Sequence, residues 1–176
     1  MARERGFAAP IAGMVAWTNQ DLLLYHGTID IYQIGILAGV NVAAGRSDTD
    51  FGRGFYTTTN LVQARSWAVS LSQRRRGTNP VVIEFEVSRN KLSKRQLIWF
   101  VRGTPGAADF WSLVAYCRSG GANHARGRPR SWYDIAIGPV TSDWKRKTAW
   151  HDYDQISFHT TKGAEILDAS AKRVFP

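Results

Sequence analysis

The sequence predicts an α+β domain in which short strands build a mixed sheet or split sandwich with helices on its flanks. Three observations carry that expectation. Apolar runs of strand length recur at 22–25, 55–58, 80–87, 133–139 and 155–159. Between them, the segments after Asn60 and after Ala107 space their apolar residues as helices do. Strands and helices do not alternate regularly, and neither Gly-x-Gly-x-x-Gly nor a P-loop follows any strand, which argues against a doubly wound parallel sheet.

In chain order, Leu22-Leu23-Leu24-Tyr25 is an apolar run bounded by Asp21 and Gly27, a buried strand ending at His26. Ile31 to Leu37 is a short helix closed by Gly39, the polar stretch Asn41 to Asp50 a mobile loop, and Phe55 to Thr58 a second strand. Asn60 is an N-cap with Gln63 at the capping-box position. Leu61, Ala64, Trp67, Ala68 and Leu71 then follow on one helical stripe that runs to about Gln73. Pro80 to Val87 reads as a third strand. Leu97 to Val101 is a strand or the end of a short helix, and Ala107 to Arg118, with Phe110, Trp111, Val114 and Ala115, is a helix. Tyr133 to Pro139 is a strand stopped by Gly138-Pro139, Gln155 to His159 another, and Thr161 to Leu167 a helix.

A chain of 176 residues, 44% hydrophobic, buries about two thirds of its unfolded surface as one domain. The expectation is a single domain over 1–176, with 1–20 as an N-terminal extension. No apolar run approaches the roughly 20 residues that span a bilayer, and Met1-Ala2-Arg3-Glu4-Arg5 leads only into a short Gly-broken stretch from Phe7 to Val15. Neither a signal peptide nor a membrane partner is expected. Cys117 is the only cysteine, so no internal disulfide forms, and a cytoplasmic protein with a buried structural thiol follows. No Cys/His or His/carboxylate spacing resembles a zinc or iron site, so no metal is expected. His124, His151 and His159 take structural or exposed readings. Ser157 lacks a Gly-x-Ser-x-Gly context, and Asp134 tethers a turn.

Twenty-three Lys and Arg against 14 Asp and Glu give a net charge of +9. Such an excess favours polyanionic partners. The cations cluster: Arg74-Arg75-Arg76 after the helix, Arg118, Arg126, Arg128 and Arg130 among Gly120, Gly121 and Gly127, and Lys145-Arg146-Lys147 between Trp144 and Trp150. Arginine grips phosphate bidentately and exposed tryptophan stacks on bases. Solvated loops explain any one cluster equally well; three together point to nucleic acid, RNA or DNA.

The most informative segment is Asp50-Phe51-Gly52-Arg53-Gly54-Phe55-Tyr56-Thr57-Thr58, following Tyr25-His26-Gly27-Thr28. Glycines at 52 and 54 permit a turn that lets backbone pass close to a flat ligand and delivers Tyr56 onto a strand facing a cleft. Alternatively the two glycines mark a bulge and the aromatics are core.

These runs, with Gly35-Ile36-Leu37-x-Gly39 between them, resemble the His-Tyr-Glu branch of ADP-ribosyltransferases, which includes the poly(ADP-ribose) polymerases and diphtheria toxin. The chain resembles more closely an uncharacterised bacterial family of that fold (DUF3990-like). That likeness runs through Asp50–Tyr56, Gln63-Ala64-x-x-Trp67-Ala68, Tyr133-Asp134-Ile135-x-Ile137-Gly138-Pro139 and Gln155-Ile156-Ser157-Phe158-His159. The resemblance implies an ADP-ribosyltransferase-like split β-sandwich of mixed sheets with flanking helices, and NAD as co-substrate. It implies that His26 bonds the adenosine ribose, that the Gly27 backbone holds the nicotinamide amide with Thr28 in support, and that Phe51, Gly54 and Tyr56 line the nicotinamide site. Trp67, eleven residues after Tyr56, falls where such enzymes place a second aromatic on the ring, though it also sits on its helix's apolar stripe.

Where those enzymes carry a catalytic glutamate, this chain has Gln155. Glutamine makes the hydrogen bond to the ribose hydroxyl but brings no charge to an oxocarbenium-like centre. The catalytic set implied is His26, Tyr56 and Gln155, acting in mono-transfer rather than chain elongation. Asp152, Asp154, Glu84 and Glu86 are candidates to supply charge nearby. The expectation is a mono-ADP-ribosyltransferase, a bacterial toxin or defence effector modifying a nucleic acid, RNA before DNA, with an antitoxin or immunity protein as a partner. The alternatives are a protein acceptor, or a catalytically weak module that binds nucleic acid or a nucleotide.

Overall fold

A computed structural model describes residues 19–104, 106–121 and 133–176. Its elements are β1 (Leu22–Ile29), α1 (Asp30–Ala38), a 3-10 turn (Val42–Ala44), β2 (Phe55–Thr57), α2 (Leu61–Arg74), β3 (Pro80–Val87) and α3 (Arg89–Leu92). They continue with β4 (Leu97–Trp99), α4 (Ala107–Arg118), β5 (Ile135–Asp143), β6 (Thr148–Phe158), α5 (Thr161–Asp168) and β7 (Ala171–Phe175). The fold is α+β with two sheets. One, in the order β1-β3-β7, is antiparallel; the other, β2-β6-β5-β4, is mixed because β4 runs parallel to β5.

The two sheets share one core. Leu24, Ile83 and Phe85 of the first meet Phe55, Ile135, Ile156 and Phe158 of the second, with Ile166 and Leu167 of α5. Side chains alternate across a strand, so the residues between these face outwards. There Ala64 and Ala68 of α2 cover the first sheet over Val82. Phe110 and Val114 of α4, with Phe51, cover the second over Ala136.

Several expectations need correcting. β1 continues through Gly27 to Ile29. β5 is not stopped by Gly138-Pro139 but runs to Asp143, with register shifts on either side of Thr141 that accommodate a proline lacking an N–H. β6 begins at Thr148, seven residues before Gln155, because the basic run 145–147 is the turn of a β5–β6 hairpin. β7 was not anticipated: it is a half-exposed edge strand whose Lys172 and Arg173 hide its alternation. Asn60 caps α2 as expected, accepting from Val62 and Gln63 N–H at 2.9 and 3.1 Å. Gln63, however, closes no capping box. Its amide grips the Asp154 backbone, donating to the carbonyl at 2.8 Å and accepting from the N–H at 3.2 Å. The buried stripe of α2 is narrower than predicted, since Trp67 is 54% exposed.

Candidate functional site

Besides their shared core, the two sheets meet by backbone pairing, among the described residues, at one isolated bridge. Tyr25 N–H donates to the Thr58 carbonyl at 2.8 Å and Thr58 N–H to the Tyr25 carbonyl at 2.9 Å. Past that bridge, among the described residues, β1 pairs with β3 alone, while β2 turns away to pair with β6. Backbone polar groups of a strand alternate in direction, so Gly27 aims its N–H and C=O the same way as Tyr25, away from β3 and into the gap that opens between β1 and β2. The opposite parity is confirmed at Asp30, whose N–H reaches the Asn79 carbonyl on the β3 side at 3.0 Å.

The bridge and the β2–β6 register place Tyr25, Gly27, Tyr56, Thr58, Gln155 and Ser157 on one face. His26 and Phe55 lie on the other. Gly27 lacks a Cβ for a packing reason: α2 crosses directly above it, and a Cβ would fall far inside contact with the Ala64 carbonyl. The same helix therefore roofs the gap on the β1 side.

His26 closes the floor. Its Nδ1 lies 2.6 Å from the Tyr56 carbonyl, which can only accept, so Nδ1 carries the proton and Nε2 is an acceptor. The ring stacks on Phe55 at 4.2 Å. Burial pushes its pKa down to about 4, partly offset by the Tyr56 carbonyl. The imidazole is neutral at physiological pH and bridges the two strands where they part. Thr28, 3% exposed, points to the same side as His26, and its hydroxyl has no partner among the described residues.

Tyr56 is anchored by its hydroxyl in the turn that precedes β2. It accepts from Phe51 N–H at 3.0 Å, donates to the Gly52 carbonyl at 2.7 Å and lies 2.7 Å from Thr49 Oγ1. Gly52 holds φ +73°, a conformation that favours glycine, so this turn does need the residue. Burial raises the Tyr56 pKa, and the phenol stays protonated. Only its ring can meet a ligand.

Gln155 is 6% exposed and donates through Nε2 to Asp50 Oδ2 at 2.8 Å and to the Pro139 carbonyl at 2.7 Å. Both partners only accept, which fixes the amide's orientation. Oε1 is the outward acceptor, with no partner among the described residues. Asp50, 2% exposed, stands at the start of the 50–58 motif and is the hub of the site. Its Oδ1 accepts from Arg118 Nε at 2.9 Å, Arg118 Nη2 at 2.6 Å and Thr141 Oγ1 at 2.6 Å; its Oδ2 accepts from Thr141 N–H at 2.8 Å as well as from Gln155. The signal was available in part: a buried acid in a turn needs a cation, and Arg118 ends α4 beside it. Arg118 is consequently an internal counter-ion, not part of a surface cluster.

Other expected positions fall differently. Phe51 is fully buried between Phe100 and Phe110, so it supports the turn and does not line a ligand site. Gly54 is glycine because a Cβ would lie 2.8 Å from the Phe158 carbonyl and 2.9 Å from His159 Nδ1; the loop at Gly45 also packs on it. That segment, read as mobile, carries the 3-10 turn against β2. Glu84 lies on the Gly27 face, opposite Tyr25 and 3.7 Å from Arg173, and Glu86 shares that face one pair further from the gap. Asp154 is spent on the β2–α2 junction, accepting from Thr58 Oγ1, from Thr59 N–H at 3.0 Å and from Thr59 Oγ1 at 2.6 Å. Asp152 is exposed beside His151. Burial pushes the Cys117 thiol up to about 12, as suits a structural residue. Trp67 is exposed, with the Arg74 guanidinium 5.3 Å from its ring centroid.

Among the basic clusters, Arg75 bonds Tyr32 Oη at 2.6 Å, Arg76 is exposed at the end of α2, and Lys145-Arg146-Lys147 forms the hairpin turn of the second sheet. Arg126, Arg128 and Arg130, with His124, lie outside the described residues. Ser157 is buried and pairs with His159 Nε2 at 2.8 Å.

With these elements in place, the chain belongs to the family described as a protein of unknown function, DUF3990, which matches residues 22–153. The match takes in His26, Tyr56 and Trp67 and ends two residues before Gln155. No curated protein and no solved structure gave a significant match. No described helix is long and apolar enough to cross a membrane.

Proposed function

We propose that this protein is an NAD-dependent mono-ADP-ribosyltransferase of cytoplasmic location, a toxin or defence effector with its own neutralising partner, that transfers ADP-ribose to a nucleic acid, RNA before DNA. The observation that carries the reading is the Gly27 peptide pair. One N–H and one C=O, side by side and aimed into the gap between parting strands, match the carbonyl and amino group of a primary carboxamide such as nicotinamide. The parting of two sheets at Tyr25 and Thr58 fits a split β-sandwich of the ADP-ribosyltransferase kind.

The Tyr56 ring shares the Gly27 face and offers a wall to a flat ring; Trp67, exposed on the roofing helix, is the candidate for the second wall. Gln155 Oε1, aimed outwards by its two donated bonds, would accept from a ribose hydroxyl. In the reaction the bond from ribose C1′ to the nicotinamide nitrogen breaks and its electron pair leaves with nicotinamide. The acceptor's nucleophile then bonds C1′ and releases its proton to water. A neutral amide stabilises the positive intermediate less than a carboxylate would, which favours slow single transfer. The net charge of +9 supports a polyanionic acceptor.

The test incubates the purified protein with NAD labelled in its ADP-ribose part and with separate RNA, DNA and protein pools. Label in RNA or DNA that survives protease supports the reading. Label in protein alone moves the acceptor, and the absence of both transfer and nicotinamide release in protein shown to be folded refutes the reading.

A further inference from the structure

A groove of about 240 Å³ opens beside the β5–β6 hairpin, walled by Phe100, Phe110, Trp111 and Pro139 and rimmed by Arg102 and Lys147. We propose that it binds one unpaired base of a single-stranded nucleic acid, with Arg102 and Lys147 on the flanking phosphates, and so docks the acceptor strand beside Gln155. This inference rests on the reading of the neighbouring gap as an ADP-ribosyltransferase site.

Size decides first. The volume falls below the roughly 300 to 1,000 Å³ of sites that enclose a whole drug-sized ligand. The groove suits a single flat ring and not a dinucleotide. Phe100 and Phe110 form its buried apolar floor, and the part-exposed Trp111 offers the ring on which any base stacks without sequence preference. Its rim is cationic: neither Arg102 nor Lys147 has an acidic partner among the described residues, although Arg102 also donates to the Trp150 carbonyl. Uncompensated cations flanking an aromatic wall match the alternation of base and phosphate along one strand. A duplex keeps its base faces stacked and cannot present one here.

Two further observations tie the groove to function. Pro139 lines it, and the Pro139 carbonyl is the second acceptor for Gln155 Nε2 at 2.7 Å, so the groove adjoins the candidate catalytic amide. Lys147 takes the left-handed position, φ +56°, that closes the β5–β6 hairpin turn, and this seats it among the residues that line the groove.

The experiment measures fluorescence anisotropy of a short single-stranded RNA oligonucleotide, the same sequence as single-stranded DNA, its duplex, and polyglutamate, on the wild type and three variants. Trp111→Leu and Arg102→Ala should each weaken single-strand affinity about fivefold to a hundredfold. Lys147→Gly should weaken it too and lower the slope of log affinity against log salt by about 0.7, while its thermal midpoint stays equal or rises. A merely structural Lys147 would not separate affinity from stability in that way. Nicotinamide release from NAD without an acceptor should be the same in all four proteins. Unchanged RNA affinity in the three folded variants overturns the proposal, as does binding of duplex or of polyglutamate as tight as single strands. If no protein releases nicotinamide but the affinity losses appear, the groove stands and the enzymatic reading fails.

Discussion

Gln155 and Asp50, 105 residues apart in sequence, form a buried pair in which the amide donates at 2.8 Å and the carboxylate accepts. The polarity of that bond explains why an amide stands at 155. A glutamate there would set two carboxylates against each other in a site where Arg118 supplies a single counter-charge. The pair also sets which end of Gln155 faces outwards, and so what a substrate could meet.

Gln155→Glu should therefore destabilise the fold by about 2 to 4 kcal/mol at neutral pH, the scale of an uncompensated buried charge. The loss should shrink on acidification, because the neighbouring carboxylate raises the new group's pKa and protonation restores a donor. Adding Asp50→Asn returns one donor and one acceptor to the pair. The double variant should recover part of the loss, a coupling visible in urea titrations of all four proteins.

Gly27→Ala places a Cβ against the Ala64 carbonyl, so α2 must lift from β1. A cost of about 1 to 3 kcal/mol is expected from overpacking. Hydrogen exchange should report faster opening across α2, while β5 and β6 keep their protection.

Neutral burial of His26 makes stability fall with acid. Its folded pKa, about 4, lies below the ordinary value near 6.5, so the unfolded chain binds the extra proton. Stability from this group is fully present above pH 6.5 and declines as pH drops from 6.5 towards 4, by up to about 3 kcal/mol. His26→Gln should flatten that part of the profile, measured as the urea midpoint against pH. An identical slope in both proteins would assign it to other groups.

Tyr56→Phe removes a hydroxyl that serves Phe51 N–H and the Gly52 carbonyl, and should cost about 1 to 3 kcal/mol by stranding those groups. The turn at 49–52 should become more mobile in backbone relaxation. The ring stays, so affinity for a flat ligand should fall less than in Tyr56→Ala.

What the sequence revealed was what is local. The N-cap at Asn60, the apolar alternation of β3 and the strand at Phe55 depend on neighbours within a few residues, and each is where pattern places it. The hairpin at 144–147 was hidden because no glycine marks its left-handed position; Lys147 occupies it. β7 was hidden because an edge strand needs only a half-apolar pattern. In the site, the placing of His26 and Tyr56 on two strands was legible, but the bond from His26 to the Tyr56 carbonyl was not; the hub at Asp50 joins a turn, α4, β5 and β6, and no spacing along one segment encodes it. Gly27 and Gly54 were noticed for the right residue type, and tertiary packing supplies their reason.

The proposed activity depends first on the Gly27 peptide groups receiving the carboxamide of NAD. The measurement that meets it most directly is an amide correlation spectrum of ¹⁵N-glycine-labelled protein titrated with NAD and then with nicotinamide alone. The Gly27 resonance should move downfield with both ligands, as a new hydrogen bond to its N–H requires. A Gly27 resonance that stays still while NAD moves other signals, or a spectrum that NAD leaves unchanged, would contradict it.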